Sequence, residues 1–197
     1  MKNPSSPPIV LASSSPYRRG LLNRFLSEFE CIAPDIDETP EPGLSPRAVA
    51  EMLARRKAEV VSSHHRDALV IGSDQLAVLD EQILGKPGDH KTAIEQLLAA
   101  SGKTVHFLTA VCVLDPESRT RSDHVDETVV QFRQFDRRLA EIYLHYDEPY
   151  DCAGSFRIEG AGFVLFDAVR TEDPTALVGL PMIWLAGRLR ALGYLLP

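Results

Sequence analysis

Ile9-Val10-Leu11-Ala12-Ser13-Ser14-Ser15-Pro16-Tyr17-Arg18-Arg19 decides how this chain is read. Ile9 to Ala12 is a short apolar run, the pattern of a buried strand. Three hydroxyls follow, then a proline and two adjacent guanidiniums. Leu21, Leu22, Phe25, Leu26 and Phe29 recur at helical spacing, which predicts a helix over 16–28. The stretch is a strand, a polar turn and a helix start, with Pro16 suited to the first helical turn. Backbone N–H groups at a helix start favour anions. Two arginines beside them supply planar, multidentate phosphate donors. Polyphosphate is the first ligand this suggests, although a plain helix cap with two solvated arginines fits the same residues.

The chain has 197 residues, 44% hydrophobic and 25% charged, which is ordinary for a globular protein with one core or two small lobes. The net charge of -7 argues against a long nucleic-acid polymer as partner, because such binding needs many basic phosphate contacts. A small anion in a locally basic cleft stays compatible with it. Cys31, Cys112 and Cys152 are odd in number and far apart, so neither a disulfide framework nor a structural zinc site is indicated, and a reducing cytoplasm is the simplest location. Residues 1–8 have three prolines and no apolar stretch, so they read as a poorly ordered extension to a single domain spanning 1–197 rather than a signal peptide. No run approaches the roughly 20 apolar residues of a membrane span.

Further along, 30–33 reads as a short strand and 34–46 as an acidic, proline-rich loop. Ser45-Pro46 supplies an N-cap and first-turn proline for a helix with Val49, Met52, Leu53 and Val60 on its buried face. Ala68 to Gly72 is a nearly continuous apolar run, the mark of a central strand that 76–79 can resume after a polar interruption. Gly85-Lys86-Pro87-Gly88 is a turn, and Asp89 can cap a helix that Gly102 ends. Stretches 105–114 and 125–132 predict neighbouring antiparallel strands, Asp136 a further helix cap, 160–169 a strand and 180–192 a last helix. The fold class is α/β: a mixed, strongly twisted sheet flanked by helices, elongated and two-lobed, with a central cleft.

Asp74, in Ile71-Gly72-Ser73-Asp74-Gln75, follows the central strand, and ligands gather beyond strand carboxyl ends. A carboxylate there can hold a divalent metal or take a proton from water. Asp35, Asp37 and Glu38 form a second carboxylate group that can hold Mg²⁺ or Mn²⁺, or be a solvated loop. Lys57 falls on the polar side of its helix. Lys86 is held between Gly85 and Pro87, as a phosphate point charge would be. Glu159 can accept hydrogen bonds from a base edge, and Tyr17 can stack on a base. The six histidines match no metalloprotease motif and read as structural.

Taken together, these segments resemble the Maf family of nucleotide pyrophosphatases from Ile9 to Leu192. The likeness rests on eight motifs in order: Leu-Ala-Ser-Ser-Ser-Pro-Tyr-Arg-Arg at 11–19, Pro-Asp-Ile-Asp-Glu at 34–38, Arg-Lys-Ala at 56–58, Gly-Ser-Asp-Gln at 72–75, Gly-Lys-Pro at 85–87, Tyr-Asp-Cys-Ala-Gly at 150–154, Glu-Gly at 159–160 and Val-Gly-Leu-Pro at 178–181. The resemblance implies hydrolysis of a nucleoside triphosphate to monophosphate and pyrophosphate with Mg²⁺ or Mn²⁺, in the cleft of what is often a homodimer. Carried over by motif, it implies phosphate binding by Ser13, Arg18, Arg19, Lys57 and Lys86. Glu38 and Asp74 would bind metal or activate water, with Asp74 as general base. Three positions separate the family's branches. Tyr17, Gln75 and Glu159 look like the branch associated with 7-methyl-GTP rather than the dTTP and UTP branch, which usually carries Arg, Thr and Gln. The chemistry agrees, since N7-methylation makes the guanine cationic, and an aromatic face and a carboxylate complement a cation. The dTTP/UTP activity, and a non-catalytic nucleotide-binding regulator of cell division, are the alternatives.

Overall fold

The computed structural model describes residues 6–197. Residues 1–5, most of the expected N-terminal extension, lie outside the described residues. The carbonyl of Pro8 accepts from Leu69 N at 2.8 Å, and that of Pro7 accepts from Tyr194 Oη at 2.8 Å.

Seven strands form one mixed sheet: β1 (Ile9–Ala12), β2 (Glu30–Cys31), β3 (Leu69–Leu79), β4 (Gln82–Leu84), β5 (Thr104–Leu114), β6 (Arg121–Phe132) and β7 (Phe166–Arg170). Their order is β2-β1-β3-β5-β6-β7, with β4 hairpinned onto β3. β1 is parallel to β2 and β3, while the β3-β5-β6-β7 run is antiparallel. Five α-helices among the described residues cover the faces: α1 (Pro16–Leu22), α2 (Pro46–His64), α3 (His90–Ala100), α4 (Arg137–Asp147) and α5 (Met182–Ala191). None is long and apolar enough to cross a membrane among the described residues.

The elongation comes from β3 and β5, each 11 residues, or about 36 Å at strand rise. Their period-two alternation separates two faces. Val70 and Val78 point to the face covered by α2, where Ala50, Ala54, Ala58 and Val61 pack. On the opposite face, Leu69 and Ile71 join a core with α1 and α5 through Leu21, Leu22, Leu185 and Leu189. Further along that face, Ala77 and Leu79 belong to a separate core with α3 and α4, built round Phe107, Phe132, Phe156 and Phe166. Those rings meet mostly edge to face at 4.8–5.7 Å. Two apolar cores on one face, with polar Ser73 and Gln75 between them, are the two lobes.

The structure corrects several expected boundaries. α1 stops at Leu22, and residues 23–25 form turns, so Phe25 and Leu26 pack on the core from outside the helix. The polar interruption in β3 is no break: β3 pairs with β5 continuously from Val70↔Leu114 to Val78↔His106. Residues 162–165 are a 3-10 turn leading into β7, and α5 begins only after Pro181, which cannot donate within a helix. β4 was not expected. It follows a two-residue hairpin at Asp80 and Glu81, both with positive φ (49° and 66°).

Candidate active site

The polar segment of β3 lies at a gap in the sheet. Pairing with β1 ends at Gly72, and pairing with β4 begins at Ala77. Residues 73–76 thus have no strand neighbour on that edge among the described residues, and β1 turns away there through Ser13-Ser14-Ser15. A cleft opens at this gap. Ser13, Tyr17, Arg18, Glu38, Lys57, Gln75, Lys86, Arg157 and Glu159 line it together with Gly179. Eight of the ten expected site residues are therefore cleft-lining. Asp74 lies directly beneath through Lys57. Arg19 is exposed and is not among the residues that line the cleft.

Asp74 is the sixth residue of β3, not a residue beyond its end. Alternation turns it toward α2, where Lys57 meets it. Gly72 sets their approach: a Cβ there would lie 2.3 Å from the Ala54 carbonyl and 2.7 Å from Ala58 N. With hydrogen in that place, α2 presses against β3 one turn from Lys57. Lys57 is 6% exposed, so the polar side of its helix is in fact a buried wall. Its ammonium lies 2.6 Å from Asp74 Oδ1 and 2.7 Å from Glu38 Oε1. Burial opposes ionisation of Glu38, but the Lys57 hydrogen bond and charge, helped by Lys86 and Arg18, hold its carboxyl below the usual glutamate range.

At the next corner, Ser15 caps α1 by accepting from Arg18 N, with Pro16 in the first turn. Arg18 Nε donates to the Gly179 carbonyl at 2.8 Å, and Ser73 Oγ donates to the same oxygen at 3.0 Å. Gly179 has φ +122°, which L side chains rarely adopt, so the carbonyl aimed at Arg18 requires glycine there. Arg18 Nη1 also lies 3.5 Å from Ser13 Oγ. The guanidinium is thus anchored through Nε, with its outer edge turned to the cleft.

The opposite wall carries Tyr17, Glu159 and Arg157. Sequence reading missed Arg157 and its buried partner Asp147. Asp147 accepts from Arg157 Nη2 at 3.1 Å and from Ala161 N at 2.8 Å, pinning both ends of the loop that bears Glu159. A Cβ at Gly160 would lie 2.4 Å from both Asp147 oxygens, so the Glu-Gly pair is needed for that wrap. The Arg157 guanidinium also lies beside the Tyr17 hydroxyl on this wall. Partial enclosure raises the Glu159 carboxyl above its usual range, against the pull of Arg157 and Arg24. The Gln75 amide donates to Thr109 Oγ1, Ala176 O and Leu177 O at 2.9–3.2 Å, which leaves its carbonyl oxygen for the cleft.

The cleft therefore has three parts: a buried carboxylate–lysine–carboxylate cluster, a cationic corner at Arg18 and Lys86, and an aromatic and acidic wall. Glu38 Oε2 and Asp74 Oδ2 take no hydrogen bond among the described residues. Two free carboxylate oxygens are a hard donor set, which fits Mg²⁺ or Mn²⁺.

These features are those of a nucleotide-binding α/β cleft, and the sequence profile of Maf-like proteins matches residues 8–192. The chain belongs to the Maf family. It is 51% identical over 191 residues to the 7-methyl-GTP pyrophosphatase of Xanthomonas axonopodis pv. citri, covering 97% of this chain and 100% of the relative. It is 49% identical over 194 residues to that of Nitrosococcus oceani, and 47% identical over 194 residues to that of Cupriavidus metallidurans, covering 98% of each chain in both cases.

Proposed function

We propose that this protein hydrolyses 7-methyl-GTP to the nucleoside monophosphate and pyrophosphate. The observation that carries the reading is the Lys57-bridged pair of carboxylates at the floor of a cleft with a cationic corner on one side and Tyr17 and Glu159 on the other. The names of the relatives support the same substrate.

In this reading Asp74 removes a proton from water. The water oxygen bonds to the α-phosphorus, the bond from that phosphorus to the bridging oxygen breaks, and pyrophosphate leaves with the electron pair. Lys57 orients Asp74 and Glu38 and favours the ionised form of Glu38. Arg18, with Ser13 beside it, meets the phosphates as a preorganised donor, and Lys86 adds a charge at the rim. Glu38 and Asp74 would hold a divalent cation, which neutralises phosphate charge when bound. Tyr17 offers a ring face to the cationic methylguanine. Glu159 offers a carboxylate to its charge and to its N1–H and amino edge. Arg19, exposed next to Arg18, supplies a further guanidinium for the phosphates. A cytoplasmic homodimer belongs to the same proposal, and light scattering checks the dimer.

The test pairs two variants. Asp74→Asn should lose turnover while nucleotide still binds. Glu159→Gln should keep turnover of GTP and lose preference for the methylated base. Normal turnover by Asp74→Asn would remove the assigned base, and unchanged preference in Glu159→Gln would remove the assigned specificity residue.

A further inference from the structure

A second group of titratable side chains lies outside the cleft, where α3 meets α4. His90 is the first residue of α3. Glu141 and His145 are four apart on α4 and so share a face. His90 Nε2 lies 2.8 Å from Glu141 Oε2. The His90 and His145 rings stack with centroids 5.2 Å apart and an interplanar angle of 25°. One ligand atom from each of the three residues falls within 4.8 Å of the others. Donors about 2.0–2.1 Å from a tetrahedral Zn²⁺ are roughly 3.4 Å apart, so small side-chain rotations close the set.

The surroundings suit a metal as well. The Tyr150 hydroxyl lies 3.0 Å from His90 Nδ1. His90 Nε2 shares a proton with Glu141 in the absence of metal; with a metal in that proton's place, the Tyr150 hydroxyl can accept from Nδ1–H, as the outer partner of a metal-bound histidine does. Arg137 Nη1 lies 3.5 Å from Glu141 Oε1, the carboxylate oxygen that does not face His90. Two imidazoles and one carboxylate from two helices form a borderline donor set, which favours Zn²⁺, Cu²⁺ or Ni²⁺ over Mg²⁺. The cleft, with carboxylate oxygens alone, favours the reverse.

We propose that His90, Glu141 and His145 form a transition-metal site of the Zn²⁺ class that braces α3 against α4, separate from the cleft. The brace also reaches the cleft wall. Tyr150, which orients His90, accepts from Gly88 N at 3.0 Å through its carbonyl and directly precedes Asp151 and Cys152.

The test uses the full chain, stripped with chelator and then held in excess Mg²⁺ so that the cleft carboxylates do not contribute. Zn²⁺ is titrated by calorimetry and Co²⁺ by visible absorption. The expected result is one Mg²⁺-insensitive Zn²⁺ per chain, a Co²⁺ spectrum of low coordination number and a higher Tm with Zn²⁺. His145→Ala, at an exposed position, should abolish all three. Tyr150→Phe should weaken Zn²⁺ about tenfold or more. Absence of Mg²⁺-insensitive binding, or the same binding in His145→Ala, would leave an ordinary His–Glu pair and overturn the proposal. Because none of the three readouts is catalytic, failure here is distinct from failure of the pyrophosphatase reading.

Discussion

Replacing Lys57 with methionine is the sharpest perturbation of the cleft floor. Methionine keeps the length and removes the charge that Asp74 and Glu38 share at 2.6 and 2.7 Å. The two carboxylates then respond differently. The Glu38 side chain is 57% exposed, so water takes over and its lost pairing costs at most about 1 kcal/mol. Asp74 is 6% exposed and is left as an uncompensated buried charge, a situation that costs about 3–5 kcal/mol. A loss of about 3 kcal/mol at pH 7 is therefore expected in urea unfolding. The variant's Asp74 should hold its proton more tightly folded than unfolded. Its native state then binds more protons, so the deficit shrinks as pH falls and grows as pH rises. Adding Asp74→Asn removes the unpaired charge and should restore more than half of the loss, without restoring turnover. A Lys57→Met protein less than about 1 kcal/mol weaker than its parent, with a deficit indifferent to pH, would refute the reasoning.

Gly72→Ala should cost about 1–3 kcal/mol and lower turnover with it, because its methyl meets the α2 backbone and must push Lys57 from Asp74; thermal unfolding and pyrophosphate release check both. Asp147→Asn should free the loop carrying Glu159, so that the ratio of 7-methyl-GTP to GTP turnover falls more than the GTP rate itself. For Glu38, whose carboxyl is held below its usual range, the stabilising contribution is present above the unfolded-state pKa and is lost as pH falls through the lower folded value. The stability difference between the parent and Glu38→Gln should accordingly vanish on acidification, as a series of urea titrations would reveal.

The elements that package one face against a core were legible in the sequence. β1, α2 with its Ser45-Pro46 start, the Asp89 and Asp136 caps, and the β5–β6 pair all carry their period or cap chemistry locally. What escaped depended on partners distant in the chain. Asp74 read as post-strand because Gly72-Ser73-Asp74-Gln75 is polar, yet β5 pairs with all of it, with Ser73 and Gln75 standing between two cores and Asp74 turned to Lys57 on the other face. Lys57 read as a surface lysine because its carboxylate partners are 17 and 19 positions away. The β4 hairpin escaped because Asp80-Glu81 lacks the glycine or asparagine that usually marks two positive-φ positions. Arg157 and Asp147 formed no motif by themselves, though the neighbouring Glu159-Gly160 pair was the place to look. The cleft residues were found by motif, and their geometry adds what motifs lack: Asp74 is held by Lys57, and Arg18 is anchored by Gly179.

The most direct measurement of the central claim is pyrophosphate release by the purified protein, with Mg²⁺ or Mn²⁺, across 7-methyl-GTP, GTP, dTTP, UTP and CTP. The expected result is a clear preference for 7-methyl-GTP, with one pyrophosphate formed per nucleoside monophosphate. Preference for dTTP or UTP would contradict the roles given to Tyr17 and Glu159, and binding without any turnover would contradict the role given to Asp74.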